Sequence, residues 1–101
     1  MAAQIIWTRL AMEDLDEIAE YIALDKPSAA VALVQKILTL TEQLAAFPRK
    51  GRRLPELPKT RYRELIVPPC RIVYLFSAPT VHIVRVIRSE RLLQRSMLPN
   101  A

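Results

Sequence analysis

Between Arg61 and Arg91 the chain carries three β-rich runs, Tyr62–Val67, Arg71–Phe76 and Val81–Ile87, separated only by Pro68-Pro69 and by Ser77-Ala78-Pro79. Breaks this short leave no room for a crossover, so neighbouring runs are expected to pair antiparallel. In Arg71–Phe76, Ile72, Tyr74 and Phe76 point one way, and Val73 and Leu75 join Arg71 on the other. Both alternating sets of Val81–Ile87 are mostly apolar. A strand apolar on both faces must be covered on both. The segments upstream can cover one face; the C-terminal segment or a second chain must cover the other. Arginines recur in and beside the strands, at Arg61, Arg63, Arg71, Arg85, Arg88 and Arg91, which predicts a sheet built to meet something acidic, with one or two of the six spent on salt bridges to Glu56, Glu64 or the acidic first helix.

The upstream half reads as the support for that sheet. Gln4-Ile5-Ile6-Trp7 predicts a first strand, and Thr8 can cap a helix running to about Ala23. Ala11, Leu15, Ile18 and Ile22 define its apolar face. The carboxylates Glu13, Asp14, Asp16, Glu17 and Glu20 are expected on its solvated side. Asp25-Lys26-Pro27 breaks this helix, and Ser28 is the expected N-cap of a second, from Ala29 to Phe47 before Pro48. Its stripe of Ala30, Leu33, Ile37, Leu40, Leu44 and Phe47, widened by Val34 and Leu38, is too broad for the first helix alone to cover. The two helices should form an antiparallel hairpin lying on the sheet. Arg49 to Thr60 reads as a basic, proline-marked solvated loop, in which Gly51 is expected at positive φ. Ser89–Leu98 is expected as a short final helix capped by Ser89.

Composition narrows the chemistry. A chain of 101 residues is expected to form one domain over 1–101. No apolar run reaches the roughly 18 residues that a membrane span requires, and no secretory leader is visible at the N-terminus. Cys70 is the only cysteine and His82 the only histidine. No internal disulfide, zinc set or other metal site is therefore expected, and no cofactor. One glycine cannot build a phosphate-cradling loop. Cytosolic residence is the expectation. The net charge of +5 conceals a division. Residues 1–47 hold three Lys/Arg and seven Asp/Glu, a net of −4, and the remainder twelve and three, a net of +9. Such asymmetry predicts an acidic partner for the second half.

The order and spacing of several short pieces complete the reading. They are Trp7-Thr8, Ala11, Asp14-Leu15, Ile18 and Tyr21-Ile22, then Pro27, Ala29-Ala30, Leu44 and Phe47-Pro48. Gly51-Arg52, Pro55-Glu56-Leu57, Arg63-Glu64-Leu65, Arg71-Ile72-Val73-Tyr74 and Val84-Arg85-Val86-Ile87 follow. Along nearly its whole length the chain resembles the ParE/RelE superfamily of type II toxin–antitoxin toxins, with the ParE branch closest. The resemblance implies an α+β fold of order β-α-α-β-β-β, with a helical hairpin on a small antiparallel-rich sheet and a variable C-terminal helix. It implies a cognate antitoxin that wraps the toxin into a hetero-oligomer. It also implies a target, either DNA gyrase for ParE-type toxins or mRNA on the ribosome for RelE-type nucleases.

Departures from the nuclease pattern favour the first target. RelE-type toxins look to use alternating lysines on the strand before the hairpin, and those places match Tyr62 and Glu64. The arginine expected after the last strand falls at Ser89, with Arg88 and Arg91 nearby, and no tyrosine follows Tyr74. A sister branch pairs a loop glutamate, matched by Glu56, with a late histidine, and none follows His82. Cys70 replaces the family's tyrosine before the central arginine. Proton transfer at RNA needs a base and an acid, which arginines do not supply. The expected function is gyrase inhibition, with Arg63, Arg71, Arg85, Arg88 and Arg91 as the target-binding set and no enzymatic activity. The alternatives are an endoribonuclease using Glu56, Tyr62 and Arg71, or an inactive relic that retains only antitoxin binding.

Overall fold

The computed structural model describes residues 2–99. Two helices, α1 (Arg9–Ala23) and α2 (Pro27–Glu42), pack on one face of a five-stranded sheet. Its strands are β1 (Gln4–Trp7), β2 (Arg52–Arg53), β3 (Arg63–Val67), β4 (Cys70–Ser77) and β5 (Thr80–Arg88), in the spatial order β1-β5-β4-β3-β2. The last three form the expected antiparallel meander. β1 joins β5 in parallel, with Ile5 opposite Val81 and Trp7 opposite Ile83; the helices and three strands that separate the two in sequence give the long connection a parallel pair requires.

Local chemistry explains the helix ends. The Thr8 hydroxyl accepts the Ala11 N–H at 3.2 Å and caps α1. α2 starts earlier than expected. Pro27 occupies its first turn, where a missing N–H costs nothing, so Ser28 lies inside the helix rather than capping it. At its far end α2 tightens into a 3₁₀ turn over Gln43–Ala45. That turn breaks the helical phase, so Leu44 is fully buried whereas Phe47, expected on the same stripe, is 66% exposed.

β5 carries the departure that most shapes the molecule. Val73 pairs with Arg85 but Tyr74 pairs with Ile83, so Val84 is an extra residue on β5. This bulge shifts the alternation: Val81, Ile83 and Val86 pack toward the helices, and Val84 and Ile87 pack on the opposite face. Both faces of β5 are thereby apolar by construction. The helical face is closed by Ala11, Leu15, Leu33, Ile37 and Leu44. The second face is closed by the chain itself, through Leu54 and Leu57 of the loop and Leu93, Met97 and Leu98 of the C-terminal segment.

That segment is not the expected helix. The Leu93 N–H, which a helix capped by Ser89 would pair with the Ser89 carbonyl, bonds Glu56 instead, and the Ser89 N–H bonds the Pro69 carbonyl. What results is an extended strap with a single 3₁₀ turn at Arg95–Met97. Gly51 also differs from expectation, since no glycine among the described residues has positive φ. Space is the reason: a Cβ at Gly51 would lie 2.6 Å from the Glu64 carbonyl oxygen and 2.7 Å from the Tyr74 ring and hydroxyl. The Tyr74 hydroxyl accepts the Gly51 N–H and donates to the Pro48 carbonyl, each at 2.8 Å, which fastens the loop across the sheet. Gly51→Ala is expected to lower unfolding free energy by about 1–3 kcal/mol through overpacking against backbone. Urea unfolding of the variant against wild type measures it.

Candidate functional site

The second face of the sheet is organised by an ion network centred on Arg71. Glu64 on β3 stands directly opposite Arg52 on β2, and its fully buried carboxylate accepts from Arg52 Nε at 2.7 Å and from Arg71 Nε at 2.6 Å. The other edge of the Arg71 guanidinium forks onto Glu56, with both bonds at 2.6 Å. Arg71 Nη1 also donates to the Arg91 carbonyl at 3.2 Å, and Glu56 accepts the Leu93 N–H at 2.9 Å. The Arg71 hydrogen bonds hold the Glu56 carboxyl down, from 4.5 to about 2, against the opposing effect of burial. The same bonds push the Arg71 guanidinium up, so it stays charged at any working pH.

Two further side chains hold the strap in the same manner. Arg85 grips Asp14 on α1 bidentately, at 2.8 and 3.0 Å, and donates to the Met97 carbonyl at 3.0 Å. Tyr62, pushed up by burial, donates to the Pro99 carbonyl at 2.6 Å. Glu56, Tyr62, Arg71 and Arg85 thus each bond one backbone group of the strap, at Leu93, Pro99, Arg91 and Met97.

These contacts reassign several expected site residues. Arg71, expected on an open binding surface, is 6% exposed and enclosed by Glu56 and Glu64, where an unpaired charge would be costly. Arg85 is likewise drawn inward by Asp14. Arg63 is half-buried and donates to the Gly51 carbonyl at 2.8 Å. Arg88 pairs with Glu90 at the surface, and Arg91 is exposed. Of the carboxylates read as solvated, Asp14 is buried: it also accepts the Val86 N–H at 3.0 Å, capping the stretch of β5 that runs past the end of β1. Its place was readable in the spacing, three residues after Ala11 and four before Ile18, on the apolar face of α1. Cys70 is fully buried, and burial pushes its thiol up, as suits a packing residue. Among the described residues no group of His, Cys, Asp and Glu side chains is placed to hold a metal ion.

Beside the network, a groove of about 630 Å³ opens between α1 and the end of β5, lined by Glu17, Ile18, Tyr21, Val86, Arg88 and Arg91 among others. Leu10, Tyr21 and Leu24 stand along the same ridge of α1 and are 46, 68 and 86% exposed.

Residues 5–93 match the family described as the ParE toxin of type II toxin–antitoxin systems. The chain belongs to this family. A relative from Caulobacter vibrioides named Toxin RelE2 is 38% identical over 91 residues, covering 89% of this chain and 99% of that protein. A solved structure titled as the chromosomal ParDE toxin–antitoxin system from P. aeruginosa superposes with a TM-score of 0.72 at 27% identity, covering 88% of this chain and 98% of its counterpart. The protein is a type II toxin with an antitoxin as its partner.

The network sets two expectations. Arg71→Ala leaves the Glu56 and Glu64 carboxylates without their shared cation and should cost about 3–5 kcal/mol of stability, read by chemical denaturation. Glu56 has a folded value below its unfolded one, so its contribution is complete above about 4.5 and fades as pH falls toward about 2. Glu56→Gln should therefore be less stable at neutral pH and show a flatter loss of stability across that window, measured by melting temperature against pH.

Proposed function

We propose that this toxin inhibits DNA gyrase in the cytosol, does not cleave mRNA, and is held inactive there by its antitoxin in a hetero-oligomer. One observation carries the choice of target. Glu56, Tyr62 and Arg71, the residues a nuclease of this family would draw on, are bound to one another or to the strap. Cleavage through a 2′-hydroxyl needs a base and an acid whose affinities lie near working pH. Glu56 is held near 2, Tyr62 is raised above its usual value, and Arg71 never gives up its proton. A surface that binds, with Arg91 exposed and Arg88 beside it at the surface in its pair with Glu90, fits a poison better than a catalyst. The exposed ridge of Leu10, Tyr21 and Leu24 beside the α1–β5 groove supports the antitoxin reading, since apolar surface of this kind calls for a covering chain.

Purified toxin is expected to block gyrase supercoiling of a relaxed plasmid, and the double variant Arg88→Ala/Arg91→Ala to lose at least about tenfold in potency while keeping its melting temperature. Codon-positioned cuts in ribosome-bound mRNA, with supercoiling untouched, would replace this reading by the nuclease one that the name of the Caulobacter relative accommodates.

A further inference from the structure

We infer that the β2–β3 edge of the sheet is a binding site for the phosphate backbone of duplex DNA. The site lies apart from the Arg71 network. Leu65 and Val67 pack toward the helices, so Arg63, on the same alternation of β3, faces that side too. Arg53 is its direct cross-strand partner, and Arg49 lies over the Phe76 ring at 5.2 Å, beside the helical core. Lys50, Lys59 and Arg61 are exposed on the segments joining these residues. Arg49, Arg53 and Arg63 thus sit on the helical side of this edge, and three further exposed cations lie on the adjoining segments.

The cluster has no counter-charge. Between residues 49 and 63 the only acid is Glu56, which Arg71 holds on the opposite face. Among the described residues none of the six makes a salt bridge to a carboxylate. Arg53 and Arg63 instead bond the carbonyls of Thr60 and Gly51, at 2.9 and 2.8 Å, and Lys50 bonds the Gln43 side-chain oxygen at 2.9 Å. Like charges directly opposed across a β pair are destabilising. Charged side chains also blunt edge strands against aggregation, but that use does not call for like charges directly opposed. The arrangement costs the free protein stability that a polyanion would return.

The composition of the patch selects the polyanion. Protein interfaces place apolar side chains at their centre and deplete charge there, whereas this surface is cationic across its middle. Sites for single strands interleave open aromatic rings with cations. Here Tyr74 is buried and Phe76 is covered by Arg49; among the described residues Phe47, at the margin, is the open ring beside the patch. Arginines and lysines crowded on one edge, with the nearest ring already covered by Arg49, match a regularly spaced phosphate backbone read without sequence.

The test is fluorescence anisotropy of the purified toxin with a labelled DNA duplex of about 20 base pairs, in KCl from about 50 to 200 mM and with no gyrase present. Its outcome is thereby independent of the target proposed above. Wild type is expected to bind, with affinity falling by a log–log slope of about −3 to −5. The triple variant Lys50→Gln/Arg53→Gln/Arg61→Gln, checked for an unchanged melting temperature, should lose at least about tenfold and flatten the slope by about two to three. A control of equal charge loss at exposed positions of the helical hairpin, Arg9→Gln/Lys26→Gln/Lys36→Gln, and Phe47→Ala should each stay within about twofold of wild type. No binding at low salt, or equal losses in the two triple variants, would overturn the proposal. Tighter binding of a single strand, lost with Phe47→Ala, would overturn the duplex assignment. Binding of polyglutamate in place of DNA would transfer the patch to an acidic protein.

Discussion

A charged residue buried under the second face of a small sheet holds this molecule together. Arg71 touches β3 through Glu64, the loop through Glu56 and the strap through the Arg91 carbonyl. Glu64 ties the arrangement to Arg52 on the edge strand. Removing a charge pair from water costs several kcal/mol per ion, and here geometry offsets it: two carboxylates, a bidentate fork and no buried side-chain nitrogen or oxygen left without a partner among the described residues. The residues a nuclease would use are therefore the ones that fasten the fold.

The strap and the bulge on β5 are two sides of one solution. A chain of this size has little apolar material with which to close two faces. The bulge at Val84 turns Ile87 outward, away from the helices, and so creates an apolar surface that something must cover. Leu93, Met97 and Leu98 cover it from a ten-residue segment, Ser89–Leu98, whose one regular element is a 3₁₀ turn, and are too few apolar anchors to hold alone. Four sheet and loop side chains bonding the strap's backbone supply the remainder.

Charge follows the architecture. The acids gather on α1, which lies over β5, and the unpaired cations gather on the β2–β3 edge at the other side of the sheet. Only Asp14 leaves its group, turning inward to meet Arg85 and the free N–H of Val86. A toxin that must be covered by one partner and meet another has reason to keep such surfaces apart.

The meander, the Thr8 cap and the antiparallel helical hairpin were all legible in the sequence. They rest on periodicity and short breaks, which are local and act through the backbone. The same holds for the need to cover both faces of β5, which followed from its two apolar sets. Which segment does the covering was not legible, because Leu93, Met97 and Leu98 carry no period that distinguishes a strap from a helix. The sequence allowed ion pairs from the strand arginines to Glu56, Glu64 or the first helix, but not which arginines make them, nor that Arg71 takes Glu56 and Glu64 together. A guanidinium's neighbours depend on how strands and loops are stacked, and that is fixed only when the chain closes. Composition determined that the second half would carry excess positive charge; tertiary structure decided which arginines are enclosed, Arg71 and Arg85, and which remain unpaired along the β2–β3 edge.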